Sequence, residues 1–399
     1  MYNPWWEGEH EPPGIPRKNY TEAIRAAFSS QNIVMVHGLR RVGKTTILHQ
    51  YIAGEIGTVG PRRVFFVSMD HPELGKSSIL DILRECRRMN SAGRKEPSLL
   101  VLDEVHARKG FERELKVLAD TEKNLRVLAS GSSSLRIRHD TPAMTGRYNR
   151  LEVRPLSFRE YLDFTGRTLD PREPQLMEAF ADAYLDHGGM PQYVLTGDPQ
   201  MLVNLVDDVI YKDIAGQYGV SDPRLLADLF FLLMERSGRS MSYSKLGRIM
   251  GVGVDTAKRY VGHFQEAGLL QLVEMDGPPN VRKYSPRKCY APDTGIRRVM
   301  VGRASRGALA ENAVLLNLPG QAGEVRYHLG PGGEVDFVTG DMAVEVKYRD
   351  SVGPEEIRTL ASLQRRGLRK RIVVTRRRCD IPAGGVDSIP LWALLSGLE

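Results

Sequence analysis

At 399 residues, with 41% hydrophobic and 26% charged side chains, the chain is too long for one core and too apolar for disorder, so it predicts a folded protein of two to four domains. No run of about eighteen apolar residues occurs, which excludes a spanning helix; the aromatic, Pro-rich NPWWEGEHEPPGIPRK is unlike a signal peptide; and scattered Cys86, Cys289 and Cys379 exclude a disulfide framework and suit a reducing cytoplasm. The formal charge of +7 suits a polyanionic partner such as DNA and is concentrated, because residues 225–305 hold 13 Lys/Arg against 7 Asp/Glu.

The aromatic segment 1–30 is expected to pack on a core or a neighbour, since adjacent tryptophans seldom stay exposed. Within 31–154, NIVMVH predicts a short buried strand and ILHQYIA a helix, with GLRRVGKTT between them. This G-x-x-x-x-G-K-T spacing, in strand–loop–helix context, is the phosphate loop. Gly38 and Gly43 let backbone N–H groups approach phosphates, and the N-terminal turn of the helix, through Thr46, adds its positive end. Lys44 neutralises phosphate charge, and the Thr45 hydroxyl ligates Mg²⁺.

Downstream, SLLVLDEVH predicts a buried strand carrying Asp103 and Glu104 at its carboxyl end. In a doubly wound sheet that end faces the ligand, so Asp103 is expected to hold Mg²⁺ and Glu104 to polarise the attacking water. RVFFVSMD supplies an extra strand between the two motifs, a mark of ATPases with a catalytic glutamate. LRVLAS then ends at Ser130, a candidate sensor of the γ-phosphate and lytic water, with Ser132 the alternative; a Ser-rich turn capping a helix explains both equally well.

GLRRVGKTT, VLDEVH, ASGSSS, PLSFREYL and DHGGMPQYVL, in this order, resemble a group of archaeal and bacterial AAA+/STAND-like ATPases whose C-terminal part is a domain of unknown function. The resemblance spans nearly the whole chain and implies ATP rather than GTP, together with a homo-oligomer, a ring hexamer or similar. It places a finger arginine at Arg147, reaching a neighbouring subunit's γ-phosphate, although pairing within its own domain serves as well. It also places an adenine contact at Pro191 in Gly189-Met190-Pro191, within a helical lid over 155–222; a helix-initiating proline is the plain alternative.

Residues 223–302 predict three amphipathic helices and a strand, with Leu226, Leu229, Phe230 and Leu233 on one face of the first. The GVG turn before DTAKRYVGHF gives helix-turn-helix spacing, with Thr256, Lys258, Arg259 and His263 facing outward. Arg282, Lys283, Arg287 and Lys288 follow on an expected hairpin wing against phosphates. Such a winged helix reads DNA or docks proteins.

In 303–399, ALAENAVLLNL predicts a helix, RYHLG and EVDFV a hairpin, DMAVEVKY a buried strand, PEEIRTLASLQRRG a helix and RIVVTRR a strand. This order resembles PD-(D/E)xK nucleases, and Glu311, Asp336, Glu345 and Lys347 match that pattern. The carboxylates are expected to hold Mg²⁺ against a scissile phosphate, while Lys347, two residues beyond Glu345, lies on the same strand face. The alternative is a fold that binds DNA or a partner without cleaving it. The full expectation is an α/β chain: a P-loop ATPase of additional-strand, catalytic-glutamate type, then lid, winged helix and restriction-endonuclease-like module. It would remodel or translocate on DNA, possibly branched, or act as an ATP-gated nuclease, or serve as a STAND-like switch docking proteins.

Overall fold

The computed structural model describes residues 3–8, 10–74, 77–132, 146–318, 324–381 and 385–398. The chain divides into two compact units, Met1–Arg154 and Pro155–Glu399. The first contains helix α1 (Lys18–Ala27), strand β1 (Ile33–Gly38), α2 (Lys44–Val59), β2 (Val64–Ser68), α3 (Ile79–Asn90), β3 (Ser98–Asp103), α4 (Phe111–Thr121), β4 (Leu125–Ser132) and β5 (Asn149–Val153). Its five strands are all parallel in the order β2-β3-β4-β1-β5. β1 and β3 are buried at every position, as a parallel sheet covered on both faces requires. β4 lies between β1 and β3, and this order sets the carboxyl ends of the three strands side by side.

β2 is an edge strand, and the N-terminal segment covers it. The Asn3 side chain exchanges hydrogen bonds with the Phe66 backbone (3.2 and 2.7 Å), while Trp5 and Trp6 both donate their indole N–H to Val64 O (2.9 and 3.0 Å). A row of unsatisfied strand groups is thereby closed within the unit. The NPWW segment therefore packs on its own core, and residues 1–30 fold together with 31–154.

The second unit begins with α5 (Phe158–Phe164), α6 (Pro174–His187), α7 (Pro191–Thr196) and α8 (Gln200–Asp207), followed by a π-helical stretch (Asp208–Ala215) and α9 (Gly216–Tyr218). Next come α10 (Pro223–Glu235), β6 (Ser240–Met241), α11 (Tyr243–Met250), α12 (Val254–Glu266), β7 (Gln271–Met275), α13 (Pro279–Tyr284), β8 (Arg287–Tyr290) and α14 (Thr294–Val301). The chain finishes with α15 (Arg306–Asn317), β9 (Arg326–Gly330), β10 (Gly333–Thr339), β11 (Met342–Val346), α16 (Arg358–Ser362), β12 (Lys370–Thr375), β13 (Asp387–Pro390) and α17 (Leu391–Ser396).

These strands form one sheet, β13-β12-β11-β10-β9-β7-β8-β6, in which β7 joins β9 in parallel at Glu274–Arg326 and Met275–Tyr327. One apolar cluster runs from Phe158 and Tyr184 through Tyr290 and Val314 to Trp392. The segments 223–302 and 303–399 thus share a sheet, and the helices of 155–222 pack on the same core. The expected hairpin wing differs: β7 and β8 pair antiparallel, but the chain between them contains the short helix α13.

Asp293 ties α14 to the turn that precedes α7. It caps α14 by accepting from Ile296 N–H (3.0 Å) and accepts from Gly189 N–H (2.6 Å), while Leu156 N–H donates to Gly189 O (2.6 Å). A Cβ on Gly189 would overlap Leu156 O, so only glycine allows this approach. Burial pushes the Asp293 carboxyl up to about 6 from an ordinary 3.8, against the pull of the backbone N–H donors. Between these values the folded chain holds a proton that the unfolded chain has lost, so the contribution of Asp293 to stability falls as pH rises through the window and is flat above it. Melting curves of the wild type and Asp293→Asn should show the wild type losing ground to the variant between pH 4 and about 6, and holding a constant difference above about 7. A difference constant across the whole range would contradict the raised pKa.

Candidate functional site

The carboxyl ends of β1, β3 and β4 converge on the phosphate loop. Gly38 closes β1, where a Cβ would overlap Val153 O on the neighbouring β5. The loop turns into α2 through two left-handed residues, Arg41 (φ 63°) and Gly43 (φ 92°). The first hydrogen bond of α2 runs from Ile47 N–H to Gly43 O (3.0 Å), so the N–H groups of its opening turn, through Thr46, point toward the loop mouth. Buried Lys44 reaches back over the loop, its Nζ donating to Gly38 O (3.2 Å) and Leu39 O (3.3 Å).

Asp103 sits at the middle of the site. One carboxylate oxygen accepts from the Thr45 hydroxyl (2.7 Å) and the other from the Ser130 hydroxyl. The Ser130 oxygen in turn accepts from Glu104 N–H (3.1 Å). Glu104 is left-handed (φ 51°), a conformation costing a non-glycine residue roughly 1 kcal/mol or more. Strain of this kind, held by a buried hydroxyl, marks a position whose side chain must be aimed. Burial raises the Glu104 pKa, partly offset by the nearby Lys44 charge, and its carboxylate meets His106 Nδ1 at 3.1 Å. Among the alternatives at the end of β4, Ser130 is the residue in contact with Asp103 and Glu104; the Ser132 backbone N–H donates instead to His106 Nδ1 (3.3 Å).

One further residue supports the loop. Arg17 is buried and donates to Val42 O (3.0 Å) within the loop and to Arg154 O (3.1 Å) just beyond β5. Its only sequence context is GIPRK, which carries no motif.

Arg147 lies elsewhere. β5 runs parallel to β1, so Arg147, just ahead of β5, is at the opposite end of the sheet from the loop, and it pairs with Asp120 (3.2 Å). A strand of five residues spans about 17 Å, so Arg147 does not reach its own unit's site. Pro191 belongs to the second unit, where it opens α7 as a helix-initiating proline.

The nuclease-like acids do come together, around an unexpected cation. Lys288, with its side chain only 2% exposed, extends from β8 to Glu311 Oε1 (3.4 Å), Asp336 Oδ1 (3.3 Å) and Glu334. Tyr290 donates to Glu311 (2.7 Å), Val346 N–H donates to Asp336 Oδ2 (2.9 Å), and Glu345 is held by Lys347 (2.6 Å) and Asp336 N–H (3.2 Å). A break in pairing register between Val335 and Val338 brackets Asp336. Burial works against the Lys288 charge, but Asp336, Glu311 and Glu334 outweigh it and raise its pKa. Burial and then the Asp336 charge push Glu311 and Glu345 up to about 7.

One expectation is corrected here. Lys288 is not a phosphate contact on a wing, because β8 turns it into the acid cluster. An ammonium thus stands among the carboxylates.

On α12, Lys258 and Arg259 are exposed and Thr256 is half-buried. His263, expected to face outward, stacks on Tyr218 with ring centroids 3.9 Å apart, and burial lowers its pKa. Arg287 pairs with Glu274 (2.9 Å), which leaves half-buried Arg282 and exposed Lys283 on α13 as the remaining cations of that segment. Beside them Tyr284 is 78% exposed, a feature the reading of charges alone passed over.

The loop, the hydroxyl-bound Asp103 and the strained Glu104, on a parallel sheet, give the first unit an arrangement that resembles the nucleotide site of phosphate-loop ATPases. Residues 30–162 match the family model described as an AAA domain, and residues 178–307 match a domain of unknown function (DUF8612). Among curated relatives the chain is 26% identical over 268 residues to an uncharacterized protein, MJ1637, of Methanocaldococcus jannaschii, covering 60% of this chain and 56% of that protein. It thus spans little more than half of that relative's length. It is 22% identical over 349 residues to an uncharacterized protein of Haemophilus influenzae, covering 84% and 86%. Among solved structures, the Walker-type ATPase PABY2304 of Pyrococcus abyssi aligns at a TM-score of 0.46 and 13% identity, over 71% of this chain and 95% of that one. No described helix is long and apolar enough to cross a membrane.

The left-handed backbone and the raised pKa of Glu104 single it out for test as the water-activating residue. Glu104→Gln should bind ATP with near-wild-type affinity yet turn it over about 10²-fold more slowly or worse, read by nucleotide binding and phosphate release on the same sample. Hydrolysis at the normal rate would remove Glu104 from that role.

Proposed function

We propose that the chain is a Mg-ATP-dependent, DNA-binding ATPase that uses hydrolysis to remodel or move along DNA, branched forms included. The DNA half of this reading rests above all on the exposed cations Lys258 and Arg259 on α12. They sit on the second helix of a helix–turn–helix pair followed by antiparallel β7 and β8, an order that supports a winged helix. On α13, Arg282, Lys283 and exposed Tyr284 add the mixture of cations and an aromatic face that nucleic acids favour.

The residues at the loop fit Mg-ATP. Lys44 lies within reach of phosphate oxygens, and Thr45 with Asp103 offers the one hydroxyl and one carboxylate that Mg²⁺ ordinarily takes beside phosphates. Bound Mg²⁺ would supply charge neutralisation at the transferring phosphoryl group. Ser130 fixes the Asp103 carboxylate and the Glu104 backbone, so the Glu104 side chain is set to orient and deprotonate a water. Pro191 as an adenine contact belongs to this reading as well. So does a cytoplasmic homo-oligomer in which Arg147, far from its own loop, serves a neighbour's γ-phosphate.

The first competing reading is an ATP-gated nuclease, favoured by the gathering of Glu311, Asp336, Glu345 and Lys347 and opposed by the lysine among them. A STAND-like switch docking proteins is the second, since the same helices present a protein-binding face equally well.

The deciding experiment measures ATP turnover without DNA and with single strand, linear duplex and a four-way junction, while gels with Mg²⁺ and Mn²⁺ follow strand integrity. Stimulation with intact strands is expected, and Lys44→Ala should abolish turnover because phosphate charge is left uncompensated. Turnover indifferent to every DNA, without measurable binding, would favour the protein-docking switch. Lys258→Glu combined with Arg259→Glu should weaken duplex binding at every sequence and flatten the plot of log affinity against log salt by about two contacts' worth. Unchanged affinity would place the DNA grip elsewhere.

A further inference from the structure

We propose that Lys288 is the resident cation of the nuclease-like carboxylate centre: its ammonium occupies the place a divalent ion would need, so the centre takes no catalytic metal and leaves bound nucleic acid uncut. This deepens the DNA reading of the second unit, but its test counts metal ions and does not depend on DNA.

The argument starts from the donors. An ammonium has three N–H groups, and Lys288 Nζ meets three carboxylates: Glu311 Oε1 at 3.4 Å, Asp336 Oδ1 at 3.3 Å, and Glu334. Its charge also lies 5.7 Å from the centroid of the Tyr327 ring. With the side chain 2% exposed, bulk water offers it little solvation, so the carboxylates and the ring carry its charge. Withdrawing the ammonium would leave Glu311 and Asp336 facing each other uncompensated in a buried site.

The acceptors are committed too. Asp336 uses its other oxygen for Val346 N–H, and both oxygens of Glu345 are taken, by Lys347 and by Asp336 N–H. Mg²⁺ demands near-octahedral oxygen ligands at about 2.0–2.1 Å. To bind both Asp336 Oδ1 and Glu311 Oε1 it would have to crowd and repel the Lys288 ammonium, which stands 3.3 and 3.4 Å from those oxygens in a site with little solvent to screen the two charges. The sequence match is therefore complete in acids, while the site itself is filled. Lys288 comes from β8, outside the E-V-D-F and E-V-K segments, which is why the motif does not reveal it.

The test uses full-length protein without nucleotide, carrying Asp103→Asn so that the ATPase site does not contribute. Mn²⁺ binding is followed by the paramagnetic resonance of the free ion. With Lys288 in place, millimolar Mn²⁺ should show no binding that is lost on Asp336→Asn. Lys288→Met should gain one Mn²⁺ per chain, at least tenfold tighter than any site in its parent, and lose it again when Asp336→Asn is added. Lys288→Arg should keep the parent's behaviour. Binding sensitive to Asp336→Asn with Lys288 present overturns the proposal, as does a folded Lys288→Met that gains no Mn²⁺. If Lys288→Met does not fold, the pair with and without Asp336→Asn still decides. Scission of duplex or junction DNA in Mn²⁺ by wild-type protein, lost on Asp336→Asn, overturns it independently.

Discussion

The carboxylate of Asp103 is shared between the Thr45 and Ser130 hydroxyls, and the rest of the first unit can be read as the means of holding it there. Thr45 opens α2, Asp103 ends β3 and Ser130 lies near the end of β4. These three ends meet only because β4 is inserted between β1 and β3 in a fully parallel sheet. Reversing any one strand would carry its residue to the far edge, roughly a strand length away. The supports follow from the same requirement: Arg17 braces Val42 within the loop, and Asn3, Trp5 and Trp6 close the edge at β2.

Glu104 shows how that arrangement is turned toward chemistry. The left-handed backbone there is unfavourable for a glutamate, and Ser130 compensates by accepting its N–H. A small polar residue that bonds the preceding aspartate and the strained backbone together leaves the Glu104 side chain little freedom of direction. Burial beside Lys44 then sets opposing pressures on its charge. A raised pKa strengthens a carboxylate as a proton acceptor, the property that the proposed water-activating role asks of Glu104.

Much of this was legible in the sequence, where chemistry is written in contiguous residues. GLRRVGKTT and VLDEVH single out Lys44, Thr45, Asp103 and Glu104 because the phosphate loop and the acid-bearing strand end are local motifs, and the fold sets Thr45 against Asp103. The order of elements in the second unit was also readable, including the helix pair before β7. What failed was long-range. Lys288 and His263 counted as outward cations from local charge and helical spacing, yet one strand's direction and one ring stacked on Tyr218 turned both inward. Nor does any local signal announce the parallel pairing of β7 with β9, which joins residues 52 apart in number. Arg17 and Asp293 escaped notice since each acts on a distant backbone, Val42 in one case and Gly189 in the other.

The two acid centres also differ in what stands against the carboxylates, and that difference bears on which of them can exchange a cation. Around Asp103 the partners are neutral hydroxyls. Thr45 can stay as a ligand when a divalent ion arrives, so the apo hydrogen bond converts into coordination with little rearrangement. Around Asp336 and Glu311 the partner is itself a cation, tethered to β8 and buried, and its charge would repel an entering metal. Its departure would require that strand or the lysine's long stem to leave a site where the freed charge has no solvent to meet. Hydroxyl-bound acids are thus poised for a cofactor that comes and goes with each turnover, whereas ammonium-bound acids are set for permanence. The first centre therefore suits the proposed cycle of nucleotide hydrolysis, and the second the proposed role of holding nucleic acid without cutting it.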